Sequence, residues 1–330
     1  MQQEEQDIVQ EEDIIMKKKM LSLTMAAVMA ASMTACGGSK PAETTAAASE
    51  AATTAAAETT AAGESAAETT AAEAAAAEIT TVTPGKLTVA TSPDFAPYEF
   101  YAIGADGKPE LAGFDMAMAQ YIADSMGLEL EIVTVDFDGV LSELQTKSVD
   151  LGMAGLSPDP KREGIMDFSD IYYMGGQSLV TIKDNAEKFN SFENVNKPEV
   201  SVGAQTGSIQ MDLANTNTPD ADIIALPKVT DIISELIAGK MDAAFIETDV
   251  AKSYQKNYPE LELVMDVPYD TEGSAVGISK GNDALKAAVN EAITAAKADG
   301  SLEKFIADAN EQASGEKYEG LLDAEGKVQQ

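Results

Sequence analysis

One long stretch of this chain has a composition that cannot fold. From Ser39 to about Thr81 the sequence is almost entirely Ala, Thr and Glu, with no aromatic residue and no apolar periodicity. Such a segment buries too little apolar surface to offset the entropy lost on ordering. We therefore predict a disordered tether over residues 36–81, spanning on the order of 35 Å as a flexible coil. Folding is confined to roughly residues 82–330.

The tether is preceded by the layout of an export signal, predicted over residues 1–35. Met16–Gly38 holds three lysines, then an apolar run too short and too rich in Ala and Ser for a membrane span, then small residues up to Cys36. The letters "MTAC" resemble a bacterial lipobox, which implies that Cys36 is lipidated and anchors the chain to the outer face of the cell membrane. The alternative is a free thiol. Residues 1–15 carry six acids, unlike an export signal, so we predict that translation starts at Met16.

Composition excludes several classes of function. The formal charge is −34, of which −25 falls on residues 82–330, so binding to nucleic acid is not expected. The chain has no histidine and one cysteine. Zinc sites of the usual kind, histidine-dependent triads and disulfide frameworks are therefore excluded. We expect no metal and no cofactor.

Strand and helix patterns alternate from Lys86 onward, which predicts an α/β fold with mostly parallel sheets. The predicted strands and helices of the first part are strands 86–91, 128–135 and 150–155, helices 113–127 and 139–149, and a hairpin turn at 104–109. Two amphipathic segments near the end, 283–300 and 301–310, are expected to pack as helices on the first lobe.

One helix–strand unit occurs twice. "LSELQTKSVDLGMAG" (141–155) parallels "ISELIAGKMDAAFIE" (233–247), and in both an Asp follows the Ser-Glu-Leu helix. The matched ends, Gly155 and Glu247, are predicted to face a shared cleft from two lobes, because ligands of parallel sheets gather beyond the carboxyl ends of strands. A chance likeness between two helix–strand units is the alternative.

Two extended, glycine-bearing segments are predicted to join the lobes. They are Tyr172–Gly176 and Tyr269–Ser274, at the points where the chain leaves the first lobe and returns to it. This gives lobe 1 as residues 82–176 and 272–330, and lobe 2 as residues 177–271.

Arg162 is the only arginine in a chain that otherwise uses lysine. A guanidinium is planar, permanently charged and able to bind a carboxylate with two parallel hydrogen bonds, which lysine cannot do. The position therefore indicates either a bound carboxylate or one structural ion pair.

The folded part resembles the polar-amino-acid substrate-binding proteins of ABC importers, family 3 of the extracellular solute-binding proteins. The resemblance runs from about Pro84 to Ala313 and rests on motifs in family order: "PDFAPYEF", "GFDMAMAQYIA", "LQTKSVDLGMAGL", "PKREGIMDFSDIYY", "VSVGAQTGS" and "MDAAFIETD". It implies a type II periplasmic-binding-protein-like fold, with two α/β lobes that two hinge strands connect and that close on a ligand. The implied partners are a polar amino acid, an ABC permease and its ATPase, and the chain is expected to be a monomer.

The resemblance also assigns ligand-binding roles. Arg162 would hold the α-carboxylate, and Ser157 would share that carboxylate or the amine. The Gly155 carbonyl and Glu247 would bind the α-ammonium, and amides around Thr206 would cap the carboxylate at the start of a helix. Phe95 and Phe137 would flank the ligand side chain. Gln205 departs from the family, which often has Gly there, and is expected to reach the ligand side chain. The alternatives are core packing for the two phenylalanines and a solvated acid for Glu247.

The chain departs from the family pattern at several positions. Ala117 stands where a second acid is usual, and Pro158 and Pro160 remove two amide donors from the loop of Arg162. Ser92 stands where some binders of basic amino acids have an acid. That points away from lysine or arginine as the ligand, although Asp94 and Asp115 lie nearby.

Three functions compete. The leading one is a lipid-anchored receptor that delivers a polar amino acid to an importer, by closing on the ligand. An enzyme of the same fold, resembling cyclohexadienyl dehydratases, is the second, and a sensory partner that presents the ligand to a receptor is the third.

Overall fold

The computed structural model describes residues 79–104, 107–271 and 273–314. The predicted export signal, Cys36 and nearly all of the predicted tether lie outside the described residues, as do residues 315–330, which are predicted to belong to lobe 1. Among the helices in the described ranges, none combines the length and hydrophobicity that spanning a bilayer requires.

The strands and helices alternate as the sequence predicts. The strands are β1 (Lys86–Thr91), β2 (Asp94–Phe95), β3 (Glu99–Ile103), β4 (Pro109–Ala112), β5 (Glu129–Thr134), β6 (Leu151–Gly152), β7 (Met166–Phe168), β8 (Gln177–Ile182), β9 (Ser201–Gln205), β10 (Asp222–Leu226), β11 (Ala243–Glu247), β12 (Leu261–Asp266) and β13 (Gly277–Ser279). The helices are α1 (Phe114–Ser125), α2 (Phe137–Thr146), α3 (Phe192–Val195), α4 (Ile209–Asn217), α5 (Val229–Ile237), α6 (Thr248–Asn257), α7 (Asp283–Asp299) and α8 (Ser301–Gln312).

Two five-stranded sheets form the centres of two lobes. Lobe 1 has the strand order β5-β1-β6-β13-β7 and lobe 2 the order β10-β9-β11-β8-β12. In lobe 1 the strands β5, β1 and β6 are parallel, and β13 runs antiparallel to β6. In lobe 2 the strands β10, β9 and β11 are parallel, and β8 runs antiparallel to β11. A small antiparallel sheet, β2-β3-β4, lies beside the first. The α/β fold class with two lobes is therefore confirmed.

Helix α1 shows why the apolar spacing predicts the packing. Phe114, Met118 and Ile122 recur every four residues and are fully buried on one face. Removing each such side chain from water contributes about 1.5–3 kcal/mol. The C-terminal helices pack on the same helix, where Tyr121 stacks edge-on against Phe305 at 6.1 Å. The two C-terminal helices therefore pack against a helix of the first part of the chain, as expected.

The predicted strand 150–155 is too long. Only Leu151–Gly152 forms β6, because these two residues alone pair with the neighbouring strands β1 and β13. Gly155 then takes φ = 55°, a left-handed conformation that no strand residue adopts. The chain therefore turns away from the sheet before the site residues, which lie in a loop.

The predicted hinge segments lie side by side. Tyr173 and Ser274 form an antiparallel bridge, and the Tyr172 N–H donates to the Ser274 carbonyl at 2.9 Å. Glu272, inside the second segment, lies outside the described residues. The lobe boundaries themselves stay a prediction.

Candidate ligand-binding site

Arg162 ends a short 3₁₀ turn, Pro160–Arg162, in the loop after β6. Arg162 is only 8% exposed, and burial lowers the pKa of its guanidinium. Nη2 donates to the Gly207 carbonyl at 3.1 Å, Nη1 donates to the Ser157 carbonyl at 3.4 Å, and Cζ lies 5.6 Å from the centre of the Phe137 ring. In the part of the chain that the structure describes, no Asp or Glu forms an ion pair with Arg162. The ion pair that was the alternative role is not found there.

Glu247 lies at the end of β11 and is 3% exposed. Oε2 accepts from the Val250 N–H at 2.7 Å and so caps α6, while Oε1 accepts from the Gly176 N–H at 3.2 Å and from the Tyr98 hydroxyl at 3.3 Å. Burial raises the pKa of Glu247 to about 7, although the backbone hydrogen bonds oppose that shift. The solvated acid that was the alternative is excluded by this burial, and the carboxylate lies where the lobes meet.

Gly155 and Ser157 lie in the loop between β6 and the 3₁₀ turn. The Gly155 N–H donates at 3.1 Å to Asp115, whose other oxygen accepts from the Tyr172 hydroxyl at 2.6 Å. A Cβ at Gly155 would lie 2.8 Å from the Phe95 ring, so the ring requires glycine there. The Ser157 hydroxyl has no hydrogen-bond partner among the described residues. Asp115 thus connects Tyr172 of the hinge with the loop that carries Gly155 and Ser157, two of the predicted ligand contacts.

The helix start predicted near Thr206 lies farther along the chain. The Thr206 N–H donates to the Leu226 carbonyl at 2.8 Å and is therefore used within lobe 2. Helix α4 begins at Ile209, because Ser208 is its N-cap and accepts from the Met211 N–H at 3.2 Å. The first amides of this helix, from Ile209 onward, are the donors that lack intrahelical partners. An anion at this helix would meet them rather than the amide of Thr206.

Phe95 and Phe137 are both buried in apolar surroundings. Phe95 lies 5.3 Å from the Tyr98 ring, and Phe137 begins α2 beneath the guanidinium of Arg162. Core packing therefore accounts for much of their surface, and a ligand contact for either stays a prediction.

Sequence reasoning gave no role of their own to two residues of the site. Tyr98 meets Glu247, and Asp94 accepts a 3.3 Å hydrogen bond from Gln205. Burial raises the pKa of Asp94 to about 6. Both residues stand inside the quoted motif "PDFAPYEF". Their polar groups in an otherwise apolar run were the signal that could have identified them.

The two lobes carry opposite buried charges. Lobe 1 provides a buried guanidinium without a carboxylate, and lobe 2 provides a buried carboxylate and the first amides of a helix. Buried charges need compensation. A zwitterion carries both complementary groups, and a helix N-terminus favours its anionic end.

Comparison with known proteins defines the class. The family model of bacterial extracellular solute-binding proteins, family 3, matches residues 87–309. The chain belongs to this family.

Two of the following three relatives are named for amino-acid binding or transport, and the third is an enzyme. The arginine-binding extracellular protein ArtP of Bacillus subtilis is 31% identical over 67% of this chain and 84% of its own length. The L-arginine-bound crystal structure of the amino acid ABC transporter substrate-binding protein AbpA from Streptococcus pneumoniae is 34% identical, has a TM-score of 0.67, and covers 70% of this chain and 97% of that one. The cyclohexadienyl dehydratase of Pseudomonas aeruginosa is 28% identical over 54% of this chain and 65% of its own length. The expected family is confirmed.

Proposed function

We propose that the chain is a lipid-anchored receptor that captures a polar amino acid between its lobes and delivers it to an ABC permease and its ATPase. Binding closes the two lobes about the hinge, and the closed form docks on the permease. The receptor acts as a monomer on the outer face of the cell membrane. It is not an enzyme.

The observation that carries the proposal is the opposed pair of Arg162 and Glu247. Each is buried, and neither has an oppositely charged side chain bonded to it among the described residues. Arg162 donates two hydrogen bonds to carbonyls, which leaves further N–H donors for a carboxylate. Glu247 lies on the other lobe and supplies the anionic partner for an ammonium. An α-amino acid satisfies both.

L-Arginine is the first ligand to test. It is the ligand bound to AbpA and the one for which ArtP is named. The absence of an acid at Ser92 argues against it, whereas the buried carboxylate of Asp94, two residues further on, could pair with a cationic side chain. Glutamine and other neutral polar amino acids are the second choice.

Thermal unfolding of the purified chain against the twenty amino acids tests the proposal. A ligand at 100 times its Kd adds about 2.7 kcal/mol, and each kcal/mol raises the midpoint by roughly 2–4 °C for a domain of this size. We expect a shift with one or a few polar amino acids. No shift with any amino acid would overturn the proposal.

The dehydratase relative and the buried carboxyl groups favour an enzyme as the second candidate. Burial raises the pKa of Asp115 to about 6 and holds the pKa of Glu99 well above its usual value, so carboxyls that accept a proton more readily than exposed ones lie near the site. Incubating the chain with prephenate and arogenate, and analysing the mixtures by mass spectrometry, separates the two functions. Turnover of either compound would establish the enzyme, and a bound amino acid recovered unchanged supports the receptor.

The lipid anchor rests on Cys36 alone. Intact mass spectrometry of membrane-derived protein should show a diacylglyceryl group on an N-terminal Cys36, and Cys36→Ala should release the protein into the soluble fraction. Wild-type protein that is equally soluble would contradict the anchor.

A further inference from the structure

A carboxylate of lobe 1 reaches the start of a lobe 2 helix. Asp94, in β2, is 8% exposed, and its Oδ2 accepts from the Val229 N–H at 2.5 Å and from Gln205 Nε2 at 3.3 Å. Within its own lobe, Oδ1 accepts from the Ser92 hydroxyl at 2.9 Å. The Tyr254 hydroxyl of α6 also donates to the Asp94 carbonyl, at 2.9 Å. Three donors from lobe 2 therefore converge on one residue of lobe 1.

Helix α5, which Val229 begins, has no capping side chain of its own. Its N-cap position is Lys228, whose ammonium is a donor only and makes no capping bond. The other α-helices of lobe 2 in the described ranges begin with side chains that accept a backbone N–H: Ser191 for α3, Ser208 for α4 and Glu247 for α6. Asp94 supplies from the opposite lobe the acceptor that α5 lacks.

The charges around Asp94 agree with an ionised acceptor. Burial has the largest effect on the pKa of Asp94 and raises it to about 6. The charge of Lys228 lowers this pKa, and the charge of Asp136 raises it. At pH 7.5 the group is therefore mostly ionised. A carboxylate at the positive end of a helix dipole is favourable.

We propose that Asp94 is an interlobe latch, a positioning residue that stabilises the closed arrangement by capping α5 with its carboxylate. The proposal rests on the proposed function, in which closure retains the ligand. The latch bonds to Val229 and Gln205 span the lobes, so separating the lobes breaks them. The latch therefore makes closure of the lobes more favourable whichever amino acid is bound.

The expected size follows from what a cap contributes. A capping acceptor is worth about a factor of ten in an equilibrium. Because the observed Kd is the intrinsic Kd divided by the fraction of competent protein, a smaller closed fraction weakens binding by the same factor. The loss should appear in the dissociation rate, since the ligand enters while the lobes are open and leaves only after the latch has opened.

The experiment compares Asp94→Asn and Asp94→Ala with the wild-type full chain, all carrying Cys36→Ser. Stopped-flow binding of L-arginine, L-glutamine and the amino acids that shift the melting midpoint gives the rates. Spin labels at Gln145→Cys on α2 and Thr216→Cys on α4, both exposed positions, report the interlobe distance with and without ligand. Melting midpoints identify any variant that fails to fold, and the isosteric Asn variant remains if the Ala variant does.

Asp212→Asn is the matched control. Asp212 also forms a contact across the lobes, with Lys161 at 2.8 Å, but both side chains are more than half exposed. Such exposed pairs contribute little. We expect less than a twofold change in the dissociation rate for this variant, with the same loss of one negative charge.

We expect Asp94→Ala to dissociate about tenfold faster for every amino acid that binds, with an unchanged association rate and a wider interlobe distance. Asp94→Asn should fall between it and the wild type. Unchanged rates and distances would overturn the latch, as would a loss confined to one amino acid, which would make Asp94 a side-chain contact instead. The latch would also be overturned if the wild-type chain showed no closed interlobe distance, either with or without ligand. If no amino acid binds, the proposed function fails, and the distances without ligand still decide the latch.

Discussion

The two lobes use the same helix–strand unit and end it with different chemistry. In lobe 1 the Asp150 N–H donates to the Thr88 carbonyl and its carboxylate accepts from the Thr88 N–H at 2.9 Å. In lobe 2 Asp242 repeats both bonds with Ser201, at 3.1 and 2.9 Å. The shared bonding favours a true repeat over a chance likeness.

The difference lies five residues further on. Glu247 is the last residue of β11, so its carboxylate is held by the sheet and by the helix it caps. Gly155 lies in a loop beyond the short β6, and it presents only backbone. A common scaffold thus delivers an anionic side chain from one lobe, while the cation of the other lobe, Arg162, comes from the following loop. The comparison predicts that the contributions of the two lobes to ligand affinity can be weakened separately.

The largest effect is expected from Arg162→Lys in lobe 1. A lysine ammonium cannot donate to the Gly207 and Ser157 carbonyls and also hold a carboxylate with two parallel bonds. Losing one charge-assisted hydrogen bond of about 1.5–3 kcal/mol weakens affinity roughly 10–150-fold. Isothermal titration with the amino acid that gives the largest melting shift measures it.

The variant also tests whether the guanidinium is structural. If affinity changes less than threefold while the midpoint of unfolding drops, Arg162 serves the fold rather than the ligand. The control is Lys161→Arg, which changes the exposed neighbour and should leave affinity unchanged.

The largest pH effect on affinity is expected from Glu247 in lobe 2. A bound ammonium favours ionised Glu247, whose pKa burial raises to about 7, so binding releases a proton near that pH. Affinity should therefore fall as the pH is lowered through 7, and be about 30-fold weaker at pH 5.5 than at pH 8 for a single group with this pKa. Titration calorimetry in buffers of different ionisation enthalpy counts the proton.

Glu247→Gln provides the control for this effect. The amide keeps an acceptor for the Val250 N–H, but it does not titrate, so the variant should bind more weakly at pH 8 and lose most of the pH dependence. A pH profile that the substitution leaves unaltered would assign the effect to Asp94 or Asp115, whose raised pKa values lie near 6.

The sequence was sufficient for the fold because its signals are local and repeated. The alternation of strands and helices, the four-residue spacing in α1 and the hinge segments each depend on a few adjacent residues. It failed where long-range pairing decides. β6 ends at Gly152 because only Leu151 and Gly152 pair with the neighbouring strands β1 and β13, and the Thr206 N–H donates to the carbonyl of Leu226, twenty residues away.

The sequence allowed individual residues of the site to be predicted, but not the contacts between them. Arg162 stood out because the composition contains one arginine, and Glu247 because it ends a repeated unit. The contact between Asp94 and Val229 joins residues 135 positions apart, so the polar group of Asp94 in its apolar run could indicate a site residue but not its partner. Such a contact follows from how the lobes meet, which no local pattern encodes.

The smallest expected effect is a difference in the free energy of unfolding between variants of the two repeat aspartates, Asp150 and Asp242. Asp150 uses both oxygens, accepting from the Val82 and Thr88 N–H groups, whereas Asp242 uses Oδ2 alone for the Ser201 N–H and hydroxyl. An Asn side chain has one acceptor oxygen. Asp150→Asn should therefore lower the free energy of unfolding by about 1–2 kcal/mol, and Asp242→Asn by less than about 1 kcal/mol.

Urea unfolding of both variants at pH 7.5, with equal m-values, measures the difference. Because an N–H left without an acceptor costs more than a weakened bond, the larger loss belongs to the aspartate with both oxygens occupied. Equal losses would mean that the lobes tolerate the substitution alike and that the second oxygen of Asp150 adds nothing. A larger loss for Asp242→Asn would reverse the order and show that lobe 2 depends more on its repeat aspartate than lobe 1 does.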